Sequence, residues 1–149
     1  VSHDDIAGQK GPILSPKWFA EMIFPHYRKI WKPAKDRGLK VVFVSDGNYV
    51  PLIQGLSDVG ADAYHVEWDP RLSHSTLESL LQRFGQSKMF MFGPNYETMN
   101  YGKPEEVVAE AEWLAKLAKT VPAHFLSDVT GTAGNIELFW RTWERQRQR

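Results

Sequence analysis

Short apolar runs alternate with longer amphipathic stretches along the chain. Val41–Val44, Ala63–Trp68, Met89–Phe92 and His124–Ser127 have strand length, and Val1–His3 reads as the stub of an earlier strand. The runs are continuous rather than alternating, which predicts strands buried on both faces of a parallel sheet.

Between these runs the apolar spacing becomes helical. Ser15-Pro16 supplies a capping hydroxyl and a proline at the first helical position, followed by Phe19, Met22, Ile23, Tyr27, Ile30 and Trp31. Pro25 and Pro33 are expected to kink or split that helix. Leu52, Ile53, Leu56 and Val59 form a stripe stopped by Gly60; Leu77, Leu80, Leu81 and Phe84 form another stopped by Gly85. Pro104-Glu105-Glu106 opens a helix whose buried face is Val107, Val108, Ala111, Leu114, Leu117 and Ala118. A last helix carries Ile136, Phe139, Trp140 and Trp143. The tryptophans and most of these stripes read as core or packing residues. The alternation of strand and helix predicts an α/β fold with right-handed crossovers.

Every predicted strand ends in polar groups. Ser2-His3-Asp4-Asp5, Ser45-Asp46-Gly47-Asn48, Glu67-Trp68-Asp69, Gly93-Pro94-Asn95-Tyr96-Glu97 and Ser127-Asp128-Val129-Thr130 each follow an apolar run. In parallel α/β folds these ends lie on one side of the sheet, where active sites gather. Ordinary turns and helix caps use the same residue types. Gly47 would permit a close backbone approach.

Composition narrows the chemistry. The chain has 149 residues with 42% hydrophobic side chains, enough for one globular domain. Eighteen basic and 18 acidic residues balance, so charge gives no case for nucleic acid or an anionic membrane. No cysteine is present, which excludes disulfides, thiolate metal sites and a cysteine nucleophile, and fits a reducing, cytoplasmic compartment. No apolar stretch has the length of a membrane span. A first residue of Val1 rather than Met reads as a chain lacking upstream sequence. There is no phosphate-binding loop, dinucleotide fingerprint or G-x-S-x-G elbow. Gly131-Thr132-Ala133-Gly134 precedes a helix and could take an anion. His3 with Asp4 and Asp5 could ligate a metal, or form a solvated turn.

Three stretches, taken together, resemble a known family. "DDIAGQKGPILSPKWFAEMIFPHYRKIW", "VVFVSDGNYVPLIQGLSDVGADAYHVEWD" and "MFMFGPNYETMNYGKPEEV" follow one another in the order and spacing of the C-terminal part of uroporphyrinogen decarboxylase and its corrinoid-linked methyltransferase relatives. The resemblance implies the C-terminal part, about five β/α units, of a TIM (β/α)8 barrel. A complete barrel needs roughly 250 residues. The remaining strands would come from a missing N-terminal half, or the chain would assemble as a homodimer. The resemblance further implies a lyase that decarboxylates a tetrapyrrole-like small molecule, with no metal and no organic cofactor. Asp46 matches an Asp-Gly of the decarboxylases and Asn95 their Gly-Asn turn, here interrupted by Pro94. Their last-strand histidine has no counterpart in "SDVTGT". The expected catalytic residues are Asp46 and Asp128, and the expected substrate-binding residues are Ser45, Gly47, Asn48, Asp69, Asn95 and Tyr96. Two alternatives stand beside this reading. One is a methyltransferase with an oxygen-rich metal site built from Asp46, Glu67 and Asp128. The other is a non-catalytic α/β subunit.

Overall fold

The computed structural model describes residues 1–66, 73–122 and 124–147. The expected strand end Glu67-Trp68-Asp69, with the candidate Asp69, lies outside them. The chain forms two compact units, Val1–Glu67 and Trp68–Arg149.

In the first unit, β1 (Ser2–His3) leads into a hairpin of β2 (Ala7–Gly8) and β3 (Gly11–Pro12). Helix α1 (Pro16–Met22) follows, capped by Ser15, whose Oγ accepts the Trp18 N–H at 3.2 Å. The chain breaks helical register at Ile23 and resumes in α2 (Phe24–Lys35). Pro25 accounts for the break, because it stands in the first turn of α2, where a missing N–H costs nothing. Pro33 sits near the end of α2 without ending it. Strand β4 (Val42–Ser45), a 3-10 turn (Val50–Leu52), α3 (Ile53–Asp58) and β5 (Ala63–Val66) complete the unit. Strand β4 lies between β1 and β5 and is parallel to both, with His3 opposite Val44 and Ser45 opposite Val66. Its core is aromatic. Tyr27 stacks on Trp31 with ring centres 5.0 Å apart, and both rings lie against Phe43. Each such buried ring contributes about 2–3 kcal/mol through area removed from water.

The second unit runs through α4 (His74–Phe84), β6 (Met89–Phe92), α5 (Tyr96–Tyr101), α6 (Pro104–Ala118), β7 (His124–Leu126) and α7 (Ala133–Arg147). Strands β6 and β7 are parallel, with Phe90 opposite His124 and Phe92 opposite Leu126. Leu77, Leu81, Phe92, Ala111, Leu114 and Phe139 fill its core.

Both units have the expected α/β class. Two expectations need correction. Strand β5 is buried on both faces as expected, with Ala63, Tyr64 and Val66 all covered, but β4 and β6 are not. In β4 and β6 alternate residues are fully and half buried: Phe43, Ser45, Phe90 and Phe92 face the helices, while Val42, Val44, Met89 and Met91 are only half covered. Nor are the tryptophans uniformly core. Trp31 and Trp143 are buried, but Trp18 and Trp140 are 39% and 40% exposed. Two elements were not foreseen. The β2–β3 hairpin is too short for an alternation to show. Helix α5 has a single turn's worth of pattern.

Candidate functional site

Alternation along β1 and β4 places one set of polar side chains together. His3 pairs with Val44, on the half-covered face of the sheet. Two residues further on, Asp5 and Asp46 continue that face. One ligand atom each of His3, Asp5 and Asp46 lies within 4.8 Å of the others, and all three residues are exposed. His3 Nε2 stands 3.3 Å from Asp5 Oδ1. Asp4, between them, points the other way. The Tyr27 hydroxyl donates to its Oδ2 at 2.5 Å. Burial, and then this carboxylate, push the Tyr27 hydroxyl well above the ordinary range.

The neighbours of Asp46 are committed to the turn. Ser45 is fully buried; its Oγ accepts the Ile6 N–H at 3.2 Å and donates to the Asp46 carbonyl at 2.9 Å. Gly47 adopts φ +74°, and a Cβ there would fall 2.8 Å from the Gly8 carbonyl oxygen. The close approach expected at Gly47 is thus made by the hairpin backbone. Asn48 donates its N–H to Gly8 O at 3.0 Å and accepts the Val50 N–H on Oδ1 at 3.3 Å, opening the 3-10 turn.

In the second unit the polar groups follow β6 and β7. Asn95 caps α5, its Oδ1 accepting the Thr98 N–H at 3.0 Å, and Tyr96 beside it is 52% exposed. Gly93 lies so close to the end of β7 that a Cβ would meet Ser127 O at 1.9 Å. Asp128 is exposed and has φ +53°, the left-handed region that side chains seldom occupy; its carbonyl accepts the Thr130 N–H at 2.8 Å. The N–H groups at the start of α7 are partly spent. Thr132 donates its N–H to Met99 O, and its Oγ1 accepts the Asn135 N–H.

One residue of this unit escaped sequence reading. Glu110, mid-way along α6, is 5% exposed. Its Oε1 accepts the Asn95 N–H at 2.9 Å and its Oε2 bonds His74 Nε2 at 3.0 Å. The signal was its spacing, three residues after Val107 and four before Leu114, on the apolar stripe itself. A cleft of about 630 Å3 opens beside it, walled by His74, Tyr101 and Trp113 and by Glu97 and Glu106.

Among the described residues, no helix is long and apolar enough to cross a membrane. Asp46 and Asp128 are exposed carboxylates at strand ends, able to accept hydrogen bonds or to balance a cation. No curated protein and no solved structure matches the chain. A family model described as uroporphyrinogen decarboxylase (URO-D) matches residues 3–133. The match begins at the end of β1 and runs to the first residue of α7, so the chain belongs to the uroporphyrinogen decarboxylase family.

Proposed function

We propose that this chain acts as a uroporphyrinogen decarboxylase-like carboxy-lyase on a tetrapyrrole or related polycarboxylated substrate. The observation that carries the reading is the position of Asp46. It is an exposed carboxylate at the C-terminal end of β4, continuing the half-covered face of that strand. That face is the one a (β/α)8 barrel would turn inward, and the half-coverage of Val42, Val44, Met89 and Met91 supports a partial barrel. Other chain material, from an N-terminal half or a second copy, would complete it.

In the proposed reaction a proton is delivered to a pyrrole carbon and the ring gains positive charge. The substituent carboxylate then leaves as carbon dioxide, and its bonding electrons neutralise the ring as an exocyclic methylene. A second proton on that methylene, with loss of the first from the ring carbon, gives the methyl product. A carboxylate beside the pyrrole N–H lowers the energy of the cationic intermediate. Asp46 takes this role, with Asp128 as the second catalytic carboxyl. Asn48, Asp69, Asn95 and Tyr96 contact substrate, and Ser45 and Gly47 hold the Asp46 turn. No metal or organic cofactor is needed. The test is release of carbon dioxide from uroporphyrinogen by the intact protein, with Asp46→Ala and Asp128→Ala beside it. Each variant should lose roughly 100-fold or more in rate. Unchanged rates in both would sink the site, and no turnover by the unaltered protein would sink the reaction.

The clustering of His3, Asp5 and Asp46 favours a second reading, corrinoid-linked methyl transfer with a metal held by nitrogen and oxygen ligands. A thiolate zinc site is excluded because the chain has no cysteine. Metal analysis of the purified protein separates the readings. Stoichiometric metal that is lost in Asp46→Ala supports methyl transfer, and its absence supports decarboxylation.

A further inference from the structure

Glu110 is, among the described residues, the one carboxylate in the buried set. A lone buried carboxylate is strongly disfavoured unless its oxygens are bonded. Here both oxygens are bonded, and to different elements. One holds the backbone N–H of Asn95, in the turn after β6. The other holds the ring of His74, the first residue of α4. That ring is stacked on Trp113 with centres 3.7 Å apart, and the Trp113 Nε1–H is donated to Glu78 at 2.9 Å. A leucine in place of Glu110 would fit the stripe it occupies, so simple packing does not explain the residue. The bond to Asn95 has a clear geometric effect. With its N–H held from α6, Asn95 keeps the non-helical φ −59°, ψ 124° that lets its side chain cap α5, and this sets where Tyr96 begins.

We propose that Glu110 is the positioning residue for the Asn95–Tyr96 part of the candidate site. It fixes that turn through the Asn95 N–H and locks it to the entrance of α4 through His74. The effect of Glu110 on substrate rests on the decarboxylase reading; its effect on the turn does not.

The test compares Glu110→Gln, which keeps an acceptor for Asn95, with Glu110→Leu, which fills the space without one. Amide hydrogen exchange is read at Asn95 and Thr98, with Phe90 and Phe92 as core controls. Affinity for uroporphyrin, a stable polycarboxylated tetrapyrrole, is read in parallel. The expected result is exchange at Asn95 and Thr98 faster by tenfold or more in the leucine variant and rescued to within about threefold by glutamine, with the controls unmoved. Uroporphyrin affinity should follow the same order. Asn95 protection unchanged in the leucine variant, or controls that move as much as Asn95, would overturn the proposal. If the unaltered protein does not bind uroporphyrin but the exchange pattern holds, the positioning role stands and the substrate reading falls.

Discussion

The backbone of Gly47 passes so near that of Gly8 that a methyl group at position 47 would sit 2.8 Å from both the carbonyl carbon and the carbonyl oxygen of Gly8. The turn that carries Asp46 is therefore seated on the hairpin that follows β1. Gly47→Ala combines this overlap with a φ of +74° that an alanine resists. It should cost about 1–3 kcal/mol, read as a lower urea midpoint. Gly8→Ala is the control, because a Cβ there meets nothing within 4 Å. Equal losses in the two variants would refute this account of the turn.

Alkaline stability should depend on three buried phenols. Burial lifts Tyr64 to about 12, with Asp58 and Asp62 adding to the effect and its bond to Ser57 opposing it. Burial also lifts Tyr49 and Tyr27 well above the ordinary value of 10.0. A raised folded value means that the stabilisation is complete below pH 10 and is lost as pH rises through the folded values. Urea midpoints should hold to about pH 9.5 and fall steadily beyond 10. Tyr64→Phe should make the fall shallower. A midpoint that stays level to pH 12 would contradict this.

Asp62 governs the acid side of the first unit. Burial alone would raise its carboxyl. The Lys35 ammonium at 2.6 Å, the Val41 N–H and then Lys40 outweigh that and hold it below 3.8. A depressed folded value gives stabilisation that is present above pH 3.8 and lost as pH falls through the folded value. Asp62→Asn should lower stability at pH 7 by roughly 1 kcal/mol and remove most of the difference from the parent at pH 2–3. A variant as stable as the parent at pH 7 would show that the pair contributes nothing.

His124 should titrate below its ordinary 6.5, because it is partly buried and Arg147 repels its proton. Its neutral form is favoured in the fold, so its contribution is present above pH 6.5 and lost on acidification. Arg147→Gln should move the ring's NMR titration midpoint upward; an unmoved midpoint would place the cause in burial alone.

Strand and helix positions were legible where the local signal was strong. Met89–Phe92 is the strand expected, and the Ser15 cap and the helix opened by Pro104 fall where their residues place them. The pieces that were not legible fail for identifiable reasons. The hairpin has two residues per strand, too few for a period. Continuous apolar runs conceal which face is better covered, because valine and methionine serve on either. Glu110 was hidden by its own side chain, since only the partners Asn95 and His74, distant in sequence, make a charge acceptable at that position. Of the candidate site, the positions after the strands were readable. The closing of Asp46 on His3 and Asp5 was not, because it depends on the pairing of β1 with β4.

In the first unit β1, β4 and β5 lie side by side in the order of the chain, and β6 and β7 are neighbours in the second. Within each unit, among the described residues, no strand is inserted between two earlier ones of its ladder, so β4 and β5 each extend the ladder from β1, and β7 extends the one from β6. Such an arrangement is modular. Whole strand–helix pairs can be gained or lost at an edge while the remaining ladders keep their partners, which gives evolution a way to lengthen or shorten this architecture without redesigning its interior.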